Sequence, residues 1–176
     1  MKPRYKRGAF LYLWYMPLAI GDTYEGGVIA YLLQPADSGY DPLVQHGLIA
    51  TTTDISPDIR WFNDILHTTT GAIGELVGQG RDNTIAIVNN QGVAQYAARL
   101  CYLHVNDIYR DWYLPSKDEL DKLFVNREAI GGFVIDYYWS STEMSTQAAY
   151  IQDFGSGKST YDYKEVPYRV RPIRSF

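Results

Sequence analysis

The chain has 176 residues, 46% of them apolar and 20% charged, with a formal net charge of −4 and a single cysteine. That length builds one domain with a real core rather than two, and the acidic balance excludes a general electrostatic affinity for nucleic acid or anionic lipid. Cys101 has no partner for an intrachain disulfide, so packing alone must hold the fold.

Residues 1–20 begin with a basic cluster, Arg4, Lys6 and Arg7, and continue into an apolar run over 8–20 that imitates a signal peptide. The run is interrupted by Pro17 and is too short to span a bilayer. It is expected to form an ordered strand or a docking arm for other protein subunits, with residues 21–176 as a single domain and no membrane span. Gly26-Gly27 predicts a turn, followed by a buried strand over 28–33, a loop over 34–40 and a short strand over 46–50. Residues 61–81 carry too many glycines for a firm helix and read as packed loop with a helical turn near 72–77. Gly74, Gly78 and Gly80 do not match a phosphate-binding or dinucleotide pattern.

The strongest helical periodicity runs from Asn83, as cap, through Ile85, Val88, Gly92, Tyr96, Leu100 and Leu103 to His104, with Cys101 as a small buried hydrophobe on it. A second helix starts at Ser116, where Ser116 and Glu119 make an S-x-x-E capping box ahead of Leu120, Leu123 and Phe124. After Gly131-Gly132 the chain turns into short strands over 138–176, with Ala149, Ile151 and Phe154 on one side of a pleat. The order of elements gives an α+β fold. The 16 tyrosines raise the aromatic share to 15%. Each buried tyrosine hydroxyl needs a partner, so many of these rings belong at surfaces, and Tyr beside Ser, Gln and Asp is what binding loops use.

Catalytic chemistry finds little footing. His46, His67 and His104 stand apart from any nucleophile motif, and no cluster has zinc-ligand spacing. Glu143, Asp153, Asp162 and Glu165 are paired-carboxylate candidates only by sharing the C-terminal region, and solvated surface acids are the preferred account. No cofactor is expected. Calcium is the one metal left open, at the loop residues Asp37, Asp41, Asp54, Asp58, Asp153 and Asp162, none of which follows an EF-hand spacing.

Three ordered motifs carry a resemblance: Trp112-Tyr113-Leu114-Pro115-Ser116 with Glu119-Leu120, then Tyr138-Trp139-Ser140-Ser141-Thr142-Glu143, then Val170-Arg171-Pro172-Ile173-Arg174. Over about residues 20–176 the chain resembles the C-terminal domain family of bacterial collagen-like adhesins, found in gut bacteria and phages and similar to formylglycine-generating-enzyme-like domains. The resemblance implies a C-type-lectin-like α+β domain with two helices and a twisted, mostly antiparallel sheet. It puts Trp112, Leu114, Trp139 and Val170 in the core and Ser140, Ser141, Glu143 and Arg171 in a core polar network. The oxidase members use a cysteine pair, and Cys101 is alone. Gln34-Pro35-Ala36-Asp37 and Trp61-Phe62-Asn63-Asp64 only echo the calcium-lectin motifs.

The segment 144–168 is also similar to the variable region of retroelement-diversified receptor-binding proteins. That resemblance implies ligand contacts at Met144, Gln147, Tyr150, Gln152, Lys158, Tyr161, Tyr163, Lys164 and Tyr168, with Thr146 and Ser156 beside them. The expected function is a non-enzymatic adhesion domain on a virion or bacterial surface, presenting its C-terminal loops to a host-surface glycan or protein. The alternative is a phage or surface-appendage decoration protein docked through its N-terminal segment.

Overall fold

Residues 17–63 and 67–176 are described by the computed structural model, so the docking arm expected at 1–20 falls almost wholly outside the described residues. Among those residues the chain forms nine strands and four helices in an α+β arrangement with two sheets. The first sheet begins with β1 (Thr23–Tyr24) and β2 (Gly27–Leu32), joined through Glu25 and Gly26, both at positive φ. β3 (Gly47–Ala50) pairs next to β2, as the two apolar runs predict. Its far side is closed by the last strand, β9 (Ile173–Ser175), so the order is β1-β2-β3-β9 and every pairing is antiparallel.

After β4 (Ser56–Ile59) the chain leaves for the helices. α1 (Gly80–Gln91) and α2 (Ala97–Tyr102) replace the single helix expected from 83 to 104. Gly92 is the cause: it turns to φ +67 while its N–H reaches back to the Val88 carbonyl, which ends α1. Tyr96 then runs extended and donates its hydroxyl to the Gly92 carbonyl at 2.8 Å. Asn83 is not a cap. It is buried inside α1, donates to the Gly74 carbonyl and the Ser141 hydroxyl, and accepts from Gly74 N. Those bonds, with Thr142 Oγ1 donating to the Gly74 carbonyl and Glu143 N to that of Ala72, hold residues 72–74 in a non-helical course, and the chain turns only from Leu76, whose carbonyl accepts from Gln79 N.

α3 (Lys117–Val125) starts as the sequence predicts. Ser116 Oγ accepts from Glu119 N, and Glu119 Oε2 accepts from Ser116 N at 2.7 Å. The other oxygen takes the Gly78 N–H at 2.9 Å, and burial pushes the Glu119 carboxyl up. The short α4 (Arg127–Ile130) follows, so four helices stand where the resemblance implied two.

The second sheet contains β5 (Tyr137–Glu143), β6 (Ala148–Asp153), β7 (Ser159–Tyr163) and β8 (Tyr168–Val170) in the order β4-β8-β5-β6-β7, antiparallel except at β5 and β8. Arg171 and Pro172 alone carry the chain from β8 to β9 (Ile173–Ser175) in the other sheet. Alternation along β5 sends Trp139 into a core with Trp61, Leu114, Ile151 and Val170, and Tyr138 into one with Val28, Leu48, Phe154 and Ile173. Phe154, expected beside Ala149 and Ile151, joins the second core because it follows the last β6 residue.

Several polar groups inside this core are closed by named partners. Arg171 is fully buried and donates to Asp54 Oδ1 at 2.7 Å and to the carbonyls of Thr51, Gly131 and Gly132, with its guanidinium 4.0 Å from the Phe133 ring centre. Tyr138 donates to the same Asp54, and Tyr31 to Asp37. Burial, with those carboxylates, pushes both phenols up to about 12 and raises Tyr168 as well. A phenol harder to ionise in the fold than in the unfolded chain stabilises fully below pH 10 and loses that contribution as pH rises through the folded value. Stability measured by urea unfolding should therefore fall between pH 10 and about 12, with Tyr138→Phe and Tyr31→Phe flattening the fall; an unchanged slope in both variants would contradict it.

Candidate functional site

The β6–β7 hairpin carries the most exposed aromatic surface of the C-terminal segment. In its register Ala148 faces Tyr163, Tyr150 faces Tyr161 and Gln152 faces Ser159. Period-two alternation puts Ala149 and Ile151 of β6 into the core and leaves Tyr150, Tyr161 and Tyr163 on the other face. Tyr161 and Tyr163 are 53% and 62% exposed, and β7 is the edge strand of its sheet. Tyr150 and Tyr161 meet edge to face with ring centres 6.3 Å apart.

The turn between β5 and β6 completes the surface. Met144 N and Ser145 N both donate to the Ala148 carbonyl, which folds Met144 and Gln147 toward the end of β7. Met144, Ser145, Gln147, Ala148, Tyr161, Asp162 and Tyr163 line a shallow pocket of about 230 Å³. Beside it, Lys117 Nζ lies 4.8 Å from the Tyr150 ring centre and pairs with Glu75 at 2.5 Å, a bond that raises the lysine pKa. Thr142 holds that corner together, accepting from Lys117 N while donating to Gly74.

Beneath the pocket lies a buried ion pair. Lys164 Nζ is 2.5 Å from Glu143 Oε1, the two side chains are 0% and 2% exposed, and the ammonium also sits 4.4 Å from the Trp61 ring centre. Glu143 accepts from Thr70 N and Gly71 N, and Lys164 donates to the Thr146 carbonyl. Loss of hydration is the largest influence on Lys164 and lowers its pKa even against the pull of Glu143.

Nine residues were expected to touch ligand, and the structure sorts them. Met144, Gln147, Tyr161 and Tyr163 come together around the pocket, with the half-buried Tyr150 beside them. Lys164 is corrected: it is an internal counter-ion with no surface to offer. Gln152 is corrected too, being 1% exposed and donating to the Gly157 carbonyl inside the hairpin turn. Lys158 is exposed but lies in that turn, at the opposite end of the hairpin from Met144. Tyr168 packs edge to face on Trp139 and donates its hydroxyl to Asp162. Lys117 and Glu75 were missed, because in sequence one is a helix start and the other a loop acid, and only the fold sets them over Tyr150.

The chemistry-bearing residues go to separate partners. His104 packs against Trp112, and burial lowers its pKa. His67 lies 3.1 Å from Glu165. Asp54 is held by Arg169 and Arg171, Asp37 by Tyr31 and Asp153 by Ser156, whose hydroxyl lowers the Asp153 pKa. Among the described residues no three His, Cys, Asp or Glu side chains gather as metal ligands would, and no helix is long and apolar enough to cross a membrane. Ser140, Ser141, Glu143 and Arg171 are buried and bonded, and Trp112, Leu114, Trp139 and Val170 lie in the interior.

The profile of the Lcl C-terminal domain family matches residues 50–174, well over half of the chain. No curated protein matches it. Among solved structures, a fimbrial protein from Bacteroides ovatus is similar at 17% identity and a TM-score of 0.49, over 84% of this chain and 43% of that one. The chain thus spans less than half the length of that solved protein.

Proposed function

The chain belongs to the Lcl C-terminal domain family, and from that premise we propose a non-enzymatic adhesion domain that presents the tyrosine face of the β6–β7 hairpin to a surface-borne glycan or protein. One observation carries this reading: Tyr161 and Tyr163 stand exposed on an edge strand, next to Met144, around a shallow pocket. Such rings stack on sugar faces or fill apolar recesses at low entropic cost, while Gln147 and Ser145 set hydrogen-bond direction. The finer assignments belong to the same proposal: a C-type-lectin-like scaffold, kinship with collagen-like adhesins, a place on a bacterial or phage surface, and binding that needs neither metal nor cofactor. In its favour, the side chains on this face are largely free of the bonds that hold the fold, so their chemistry is available to a partner.

The test is a glycan-array and cell-surface binding screen with the intact protein and with Tyr161→Ala/Tyr163→Ala. Binding should be lost in the double variant, with a melting temperature close to that of the parent. A parent that binds nothing, or a double variant that binds as well as the parent, would sink the proposal.

A further inference from the structure

A second recess, independent of the tyrosine face, lies between the start of α1 and the segment that leads into α3. It has a volume of about 340 Å³, within the range of small-ligand sites. Arg81 and Arg110 stand at it, both exposed, and neither forms an ion pair or side-chain hydrogen bond with any described residue. Tyr102 and Ile85, each more than a third exposed, supply apolar wall. Trp112 lines the same recess, is 2% exposed, and its indole Nε1–H is buried without a hydrogen-bond partner among the described residues. Buried donors are nearly always bonded, so an orphan donor on a residue that lines a recess with two guanidinium groups outside any ion pair marks a missing acceptor.

The charges narrow what that acceptor is. Asp111 also lines the recess, but Arg174 holds it through two hydrogen bonds at 2.8 and 3.1 Å and is itself shared with Glu25. Arg81 is near enough for its charge to act on the same carboxylate, but it forms no ion pair with it, so both guanidinium groups keep donors for a ligand while the acid disfavours a doubly charged anion. Arg81 is moreover the second residue of α1, where a helix dipole disfavours a cation and a bound anion would relieve it.

We infer that this recess binds a singly charged carboxylate attached to a small apolar body, with Arg81 and Arg110 on the carboxylate, the Trp112 indole as a further donor, and Tyr102 and Ile85 around the apolar part. The carboxylate belongs either to a free organic acid or to the C-terminal residue of a peptide, which present the same chemistry.

The measurement follows the Trp112 indole N–H resonance of the intact protein, assigned with Trp112→Phe, during titration with phenylacetate, phenylacetamide, inorganic phosphate, and Gly-Phe as free acid or amide. Phenylacetate should shift the resonance saturably and phenylacetamide should not. Arg81→Ala/Arg110→Ala, whose side chains are exposed, should keep its melting temperature and bind at least about tenfold more weakly. A response to free-acid Gly-Phe equal to or stronger than that to phenylacetate assigns the carboxylate to peptide ends, and a weaker one to free acids. The inference is overturned if phenylacetate gives no shift, if the amide matches it, if phosphate binds as tightly, or if the folded double variant binds like the parent.

Discussion

Replacing Glu143 by alanine should lower the stability of the domain by about 3–5 kcal/mol at neutral pH, the cost of leaving a buried charge without its partner. Lys164 is 0% exposed, and Glu143 is the carboxylate beside it. The same substitution strips the acceptor from Thr70 N and Gly71 N. Lys164→Met should cost less, because those amides still answer the carboxylate and a methionine fits the volume beside Trp61. Burial already lowers the Lys164 pKa, and without the Glu143 carboxylate, the charge that opposes it, that drop deepens. The unfolded chain then holds the proton more tightly than the folded one, so stability rises with pH toward the free lysine value. The gap between parent and Glu143→Ala should accordingly narrow as pH rises, the tyrosine effect being common to both. Urea unfolding at neutral and mildly alkaline pH reads this directly. A loss below about 1 kcal/mol, or a gap that widens with pH, would mean the pair is solvated.

Arg171→Leu should cost a similar amount, about 3–5 kcal/mol. Its guanidinium joins four acceptors drawn from two parts of the chain, the loop from Thr51 to Asp54 and the Gly131-Gly132 turn, and lies against Phe133. Asp54 would keep Tyr138 and Arg169, but the carbonyls of Thr51, Gly131 and Gly132 would lose their donor. Arg171→Lys should rescue little, since one ammonium cannot replace a planar fork that reaches both sides. Thermal and urea unfolding of the two variants decide it. A lysine variant as stable as the parent would show that charge alone matters at this position.

The legible parts of the chain were those with local causes. The capping box at Ser116 and Glu119 and the apolar runs of β2 and β3 could be placed because each signal lies within a few residues of its effect, whereas Trp139 and Val170 were placed in the core by the motif resemblance. Gly92 was visible as a weakness in a helix, but its helix-ending role depends on a left-handed backbone that periodicity does not encode. Asn83 looked like a cap because a cap is the commonest use of asparagine near a helix start. Its partners, Gly74 and Ser141, are supplied by tertiary structure.

The exposure of the residues expected to contact ligand was legible only in part, for the same reason. The resemblance pointed to 144–168, and the strand register then turned Tyr161 and Tyr163 outward and Lys164 inward, while the hairpin turn closes over Gln152, which shares the tyrosine face but donates to the Gly157 carbonyl. A lysine between Tyr163 and Glu165 reads as surface. Only the approach of Glu143, Trp61 and Thr146 from distant positions makes it interior.

The pairing of β3 with β9 has a consequence for the order of assembly. Leu48 meets Ser175 and Ala50 meets Ile173, so a strand made early must wait for a partner more than a hundred residues later. Tyr113 too bonds to Ile173 through both of its backbone groups. During synthesis β1, β2 and β3 can form a meander, yet one side of β3 stays open until residues near 175 have emerged. Closing so long a loop precedes any reward from the contacts it brings, which places folding of this domain on the slow side, about milliseconds to seconds, and leaves β3 in need of protection from foreign strands until then.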